Sequence, residues 1–211
     1  MQTSESHPPE RSKAQFERLV FFSDAVFAIA ITLLVLDLKL PPGSHGTVDL
    51  SQIGDKLFGF GLSFAVIGLY WINHHQLFGA LKREDSLLRY VNLLFLASVV
   101  FLPFPTSVIA EFPATPSSVT FYAASVASVG LLLTLLTVVA RRPHLLAPDE
   151  PEIGALSAVV YPLGAPIVFL VSMFVAQSQP HLATRLWWLV APAVYLANWI
   201  GHRLRKPAAK A

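Results

Sequence analysis

The chain has 211 residues, of which 54% are hydrophobic and 13% charged, with a formal net charge of +2 and no cysteine. A soluble domain usually carries about 25% charged residues, so this composition is typical of an integral membrane protein. The lack of cysteine excludes disulfides, thiolate metal sites and cysteine nucleophiles. The basic residues lie beside apolar segments, which indicates membrane topology rather than a nucleic-acid surface, and no nucleic-acid partner is expected.

Six apolar segments have the length of a membrane span, which needs about 20 residues. They are residues 19–40, 57–78, 88–110, 118–140, 153–176 and 184–202. Lipid offers the backbone no hydrogen-bond partner, so we expect helices rather than strands. The sequence therefore predicts an all-α integral membrane protein with a disordered N-terminus (1–15), a six-helix transmembrane unit (16–203) and a basic cytoplasmic tail (204–211).

Lysine and arginine are unevenly divided between the two sides of these spans. Of the 15 basic residues, three (Lys39, Lys56 and Arg185) lie on one side, and the other twelve lie on the side of the N-terminus. The positive-inside rule places the richer side in the cytoplasm. An even number of spans then puts both termini in the cytoplasm, and we expect a multi-pass protein of the plasma membrane.

The first span has two faces at helical spacing, 100° per residue. One stripe contains Phe22, Ala25, Ile29, Thr32, Leu33, Leu36 and Leu40, and the other side contains Val20, Asp24, Phe27, Ile31, Leu34 and Leu38. Periodicity alone leaves open whether the stripe faces a pore, lipid or another helix.

Asp24 lies well inside this apolar segment, where an ionisable side chain costs about 2.5–3.5 kcal/mol or more. It therefore needs a partner, and Arg18 lies about 240° around the helix, too far to supply one. We expect a polar cluster at the cytoplasmic ends of the first three spans. Its predicted members are Arg18, Ser23, Asp24, Trp71, Asn73, His74, Arg89 and Asn92.

Three roles are open for this polar cluster. It can lock the helices together, sense pH or ions through a histidine that titrates near neutrality, or form a metal or catalytic site. The adjacent His74 and His75 point about 100° apart on a helix, which does not suit chelation of one metal ion. We expect no metal site.

The motif R-x-x-x-F-S-D, formed by Arg18, Phe22, Ser23 and Asp24, is followed by A-V-F-A-I-A-I-T-L-L-V. Together they resemble the signature of the transmembrane protein 175 family, potassium-selective channels that lack the T-V-G-Y-G filter loop. W-I-N-H-H in the second span and F-L-P-F-P-T in the third also resemble bacterial members. The resemblance covers about residues 16–112, while the last three spans match only in number and hydrophobicity.

This resemblance implies a homotetramer in the bilayer whose pore is lined by the first helix of each copy. It implies that Ile29 forms the narrowest ring, that Leu33 and Leu36 add apolar layers, and that Thr32 contributes to selectivity. The permeant ion would be K⁺, with no cofactor and no enzymatic activity.

The main alternative is a proton-coupled secondary transporter that uses Asp24, His74 and His75 as a relay. Transporters often contain broken helices and internal repeats. The first span contains neither glycine nor proline, and no repeat is visible. An accessory subunit without transport activity of its own is a further alternative.

Overall fold

The computed structural model describes residues 8–38, 54–147 and 155–203. Within these ranges the regular secondary structure is helical, the connections are short, and one isolated antiparallel bridge joins Leu81 to Leu146. This confirms the all-α prediction. The helices are α1 (Pro8–Leu33), α2 (Gly54–Gly79), α3 (Ser86–Phe101), α4 (Pro103–Glu111), α5 (Pro116–Ala140), α6 (Ala155–Ala176), α7 (Pro180–Leu186) and α8 (Val190–Arg203). Short 3₁₀ turns, Leu34–Asp37 and Trp187–Leu189, follow α1 and α7.

Four helical segments of the described chain are long and apolar enough to cross a membrane. They are Lys13–Leu36, Lys56–Gly79, Ser86–Glu111 and Pro116–Ala140. They correspond to the first four predicted spans. The predicted fifth span coincides with α6, and the predicted sixth is divided between α7, a 3₁₀ turn and α8. The count of six and the side of each terminus stay predictions.

The N-terminal boundary differs from the prediction, because α1 begins at Pro8 rather than after residue 15. Proline is tolerated in the first helical turn, where its missing N–H has no intrahelical partner to lose. Phe16 then stacks on Phe78 of α2, with ring centroids 6.0 Å apart, so this end of α1 is held by packing. Residues 1–7 and the predicted tail 204–211 lie outside the described residues.

The third span is broken into α3 and α4 at Leu102. Pro103 and Pro105 lack the N–H groups that would continue the α-helical ladder, and the Leu102 N–H instead bonds Val99 O three residues back, at 3.1 Å. The short helix α4 packs against α2 and α5 and also contacts α1 and its 3₁₀ turn.

Helix α5 forms the centre of the helical packing, in contact with α2, α3, α4, α6 and α7. Gly130 allows the closest approach, because a Cβ there would collide with Pro166 of α6 and lie 2.8 Å from the Tyr70 hydroxyl. That hydroxyl donates to Val126 O at 2.9 Å. The second half of the chain thus packs on the first through α5.

Asp85 joins the α2–α3 connection to the α5–α6 connection. Its carboxylate caps α3 by accepting from Leu88 N at 2.9 Å, and it also accepts from Arg142 at 2.7 Å and from His144 at 3.0 Å. Desolvation raises the pKa of Asp85, but the Leu88, His144 and Arg142 hydrogen bonds outweigh it, and the pKa falls to about 2. Asp85 is therefore ionised at neutral pH and fixes the start of α3.

Candidate functional site

The apolar stripe of α1 is exposed in the single chain. Ile29 is 55% exposed and Leu36 is 64% exposed, and Phe22 and Leu33 are exposed as well. Thr32 lies on the same surface, where its hydroxyl donates to Ile29 O at 2.9 Å. This bond uses the only hydroxyl proton of Thr32, so the oxygen lone pairs stay available as acceptors. No described residue of the same chain buries this stripe.

The opposite face of α1 is packed against the rest of the chain. Phe27 is 1% exposed, and Ala30 and Leu34 are equally buried. The Phe27 ring lies 5.9 Å from the Phe95 ring of α3 and 5.6 Å from the His74 ring of α2. One face of the helix is therefore buried by the rest of the chain, while the other face is left exposed.

A buried hydrogen-bond network crosses from α2 through α3 to α1. His74 Nε2 lies 2.9 Å from Asn92 Oδ1, Asn92 Nδ2 donates to Ser23 Oγ at 3.0 Å, and the Ser23 hydroxyl donates to Leu19 O at 2.9 Å. Because the Asn92 amide oxygen can only accept, His74 carries its proton on Nε2. All three side chains are buried, so the network ties the three helices together.

Aromatic rings enclose the imidazole of this network. The His74 ring stacks on Phe78 with centroids 4.2 Å apart and lies nearly parallel to Phe95 at 5.6 Å. Burial between apolar rings makes an unpaired polar atom costly, which explains why the imidazole needs the amide of Asn92. The aromatic neighbours were not identified from the sequence, since phenylalanine is frequent in every span.

Asp24 finds its partner in α2, separately from the buried network. Trp71 Nε1 donates to Asp24 Oδ1 at 2.9 Å, and the Trp71 ring is 5.5 Å from that of His75. Trp71 and His75 are exposed, and Asp24 is half-buried. The predicted partner on another helix exists, and it belongs to the same chain.

Three residues expected in the cluster lie outside the network, and two of them bond elsewhere. Asn73 donates to Leu69 O of its own helix at 2.9 Å, because it lies one position, about 100°, from His74. Arg89 pairs with Glu84, which lies in the connection before α3, with an N–O distance of 2.7 Å. Arg18 is exposed and bonds to none of the described network residues.

The described residues contain no group of three histidine, aspartate or glutamate side chains that could hold a metal ion. The described residues instead form an apolar exposed helix face backed by hydrogen bonds. Such a surface suits contact between copies of a chain or the wall of a narrow apolar passage.

Comparisons with known proteins agree on one family. Residues 18–103 match the family described as endosomal/lysosomal potassium channel TMEM175. A potassium channel of Streptomyces collinus is 36% identical over 171 residues, which cover 72% of this chain and 82% of that one. The human endosomal/lysosomal proton channel TMEM175 is 25% identical over 143 residues, covering 63% of this chain and 27% of the human one. The crystal structure of a lysosomal potassium-selective channel TMEM175 homolog from Chamaesiphon minutus aligns with a TM-score of 0.70 and 28% identity, over 92% of this chain and all (100%) of that one.

Proposed function

Because this chain belongs to the TMEM175 family of membrane ion channels, which are not enzymes, we propose that it forms a potassium-selective cation channel. Four copies assemble around one axis, and α1 of each copy lines the pore. The observation that carries this proposal is the contrast on α1, where an apolar stripe is exposed although the opposite face of the same helix is fully packed.

The membrane arrangement of the proposed channel has six spans. Helix α6 supplies the fifth span, and the α7–α8 segment supplies the sixth. The protein lies in the plasma membrane with both termini in the cytoplasm. The excess of lysine and arginine on that side supports this orientation.

Ile29, Leu33 and Leu36 form stacked apolar rings in this tetramer. Ile29 and Leu36 are seven residues apart, so the rings extend over about 10 Å of the pore. A narrow apolar ring excludes water when closed, and an ion that must lose its hydration shell does not pass. Opening requires dilation of the ring by tilt or rotation of α1.

Thr32 contributes to selectivity in this proposal. Its hydroxyl proton is bound by Ile29 O, so the four Thr32 oxygens present lone pairs that replace part of the K⁺ hydration shell. Isoleucine and leucine offer no such oxygen, and selectivity is therefore more modest than in a filter of backbone carbonyls. K⁺ is the permeant ion, and no cofactor takes part.

A proton-coupled transporter receives less support from the contacts in the chain. A relay would need Asp24 and His74 in one hydrogen-bonded chain, whereas Asp24 bonds Trp71 and His74 bonds Asn92. The amide of Asn92 has no titratable proton to pass on. The name of the human relative nevertheless makes proton flux a necessary measurement.

The test is K⁺, Na⁺ and proton flux in liposomes that contain the purified protein. Ile29→Asn is expected to raise K⁺ flux, because a polar ring wets the constriction, and Thr32→Ala is expected to lower the K⁺/Na⁺ ratio. Ile167→Asn is the matched control, since Ile167 is 53% exposed and its helix, α6, is not among the helices packed closely on α1. Unchanged permeation in both α1 variants would reject the pore assignment.

A further inference from the structure

Three buried hydroxyl groups connect α2, α4 and α5. Ser63 Oγ lies 2.8 Å from Thr106 Oγ1 and 2.9 Å from the Tyr122 hydroxyl, and Thr106 Oγ1 donates to Leu102 O at 2.8 Å. None of the three side chains is more than 2% exposed. We call Tyr122, Ser63, Thr106 and the Leu102 carbonyl the hydroxyl chain.

The direction of each hydrogen bond in the hydroxyl chain follows from its last member, the Leu102 carbonyl. This carbonyl can only accept, so Thr106 donates its single hydroxyl proton to it. Ser63 must then donate to Thr106, and Tyr122 must donate to Ser63. The chain runs one way, from α5 through α2 to α4, and each of the three protons has an acceptor.

Ser63 differs from most other hydroxyl residues of the described helices. Hydroxyls such as those of Ser98, Ser125, Thr134 and Thr137 bond a carbonyl three or four residues back in their own helix, which is the common arrangement in apolar helices. The Ser63 hydroxyl instead bonds side chains of two other helices. It connects elements rather than stabilising one of them.

The hydroxyl chain ends where the third span is broken. Leu102 lies between α3 and α4, and Thr106 reaches it twice, through its hydroxyl and through its backbone N–H at 3.1 Å. Pro103 and Pro105, which both follow Leu102, remove two N–H donors from the first turn of α4. A helix that has lost ladder bonds bends easily, so the orientation of α4 depends on the contacts that hold it.

Helix α4 carries Thr106 of the hydroxyl chain and also contacts the end of α1. It packs closely on α2, where a Cβ at Gly59 would lie 3.6 Å from Ala110 Cβ, and it contacts the 3₁₀ turn Leu34–Asp37. That turn carries Leu36 of the exposed stripe. We propose that the hydroxyl chain is a positioning element that holds α4 against the Leu36 end of α1.

The effect of this positioning on ion permeation rests on the proposed function, in which Leu36 forms the last apolar ring of the pore. A loosened α4 leaves the 3₁₀ turn less supported, which alters the constriction at Leu36. The inner half of α1 is held by Asn92 and Trp71, and it does not depend on the hydroxyl chain.

Hydrogen–deuterium exchange of the purified, assembled protein tests the positioning role without any flux measurement. Thr106→Val keeps the branched shape and removes the hydroxyl. We expect the amides of residues 33–38 to exchange about five-fold faster, the effect of losing one hydrogen bond from a local opening equilibrium. Residues 19–27 should be unaffected. Thr134→Val is the matched control, because its hydroxyl bonds only Gly130 O of its own helix.

Rescue separates a positioning role from general destabilisation. Thr106→Ser restores the hydroxyl and should return both the exchange rate and the K⁺ flux to those of the wild type. If Thr106→Val does not fold, Ser63→Ala removes the donor to Thr106 of α4 and should change exchange in the same direction. Unchanged exchange at residues 33–38, an equal increase at 19–27, or the same increase in Thr134→Val would overturn the inference. Absence of flux in the wild type would reject the proposed function and leave the exchange result standing.

Discussion

The two faces of α1 differ in every contact that the chain can provide. Leu34 is 1% exposed, and Leu36, two residues further, is 64% exposed. Ser23 lies in a buried network that reaches α2 and α3, while Thr32 bonds only its own helix. Both faces are apolar, so hydrophobicity does not distinguish them, and the difference lies in which face has neighbours within one copy.

This contrast shows that a single copy of the chain packs only one of the two faces of its first helix. A membrane protein gains little by hiding an apolar face from lipid, because lipid is equally apolar. The packed face is therefore maintained by close packing and hydrogen bonds, whereas the exposed face is free to serve another copy or a permeation path. Substitutions on the two faces should have separable effects.

The largest expected difference comes from a pair of leucines in the 3₁₀ turn that continues α1, Leu34 and Leu36. Leu34→Ala should lower the free energy of unfolding by about 3 kcal/mol, because it leaves a cavity in packed protein. Leu36→Ala should change it by less than about 0.5 kcal/mol, as expected for an exposed side chain. Unfolding of the detergent-solubilised protein measures both. Equal losses would mean that the two faces are not distinct.

The buried network gives the second comparison, between two asparagines. Asn92→Ala removes two hydrogen bonds, which leaves His74 Nε2 buried without its partner and Ser23 bonded only to Leu19 O. This should cost about 2 kcal/mol of unfolding free energy. Asn73→Ala is the control, because Asn73 bonds only Leu69 O of its own helix. A loss in Asn73→Ala as large as that in Asn92→Ala would show that the cross-helix bonds do not hold α1.

Asp85 has a smaller and pH-dependent effect, exerted through the start of α3, the helix that carries Asn92. The pKa of Asp85 is lowered from 3.8 to about 2, so its stabilising contribution is present above pH 3.8 and disappears as the pH falls towards 2. Asp85→Asn should cost about 1 kcal/mol at neutral pH, allowing for solvent screening. The wild type and the variant should converge in acid.

Thermal unfolding over this pH range checks the prediction for Asp85. Glu17→Gln is the control, because the Glu17–Lys13 pair is exposed and its N–O distance is 4.0 Å, a geometry that contributes little. A difference between Asp85→Asn and the wild type that persists unchanged to pH 2 would contradict an ionised Asp85 as its source.

The faces of the first span could be predicted from the sequence because an α-helix has a fixed period, but the change to a 3₁₀ turn at Leu34–Asp37 was not predicted. Asp24 also required a partner on physical grounds, and Trp71 was among the candidates. The sequence did not predict that Arg89 turns to Glu84, since that pair depends on the shape of the short connection before α3. The hydroxyl chain could not be predicted, because Ser63, Thr106 and Tyr122 are far apart in the sequence. Each of them alone resembles an ordinary hydroxyl residue of an apolar helix.

The breaks in the third and sixth predicted spans were only partly foreseeable. Pro103 and Pro105 favour a kink, because they lack N–H groups of the α-helical ladder. The position of the break depends on the backbone of the folded chain, where the Leu102 N–H bonds Val99 O three residues back. In the sixth span, Trp187 donates to Ser172 of α6 at 3.0 Å, a contact between distant residues that favours a 3₁₀ turn where hydropathy alone predicts a continuous helix.

The central claim is that the exposed stripe of α1 lines a pore formed by four copies. The most direct test is an experimental structure of the purified, assembled protein, read for its subunit count and for the residues that face its axis. The account predicts four copies with Ile29, Leu33 and Leu36 around the axis. A different number of copies, or a stripe that faces lipid while another helix lines the axis, would contradict it.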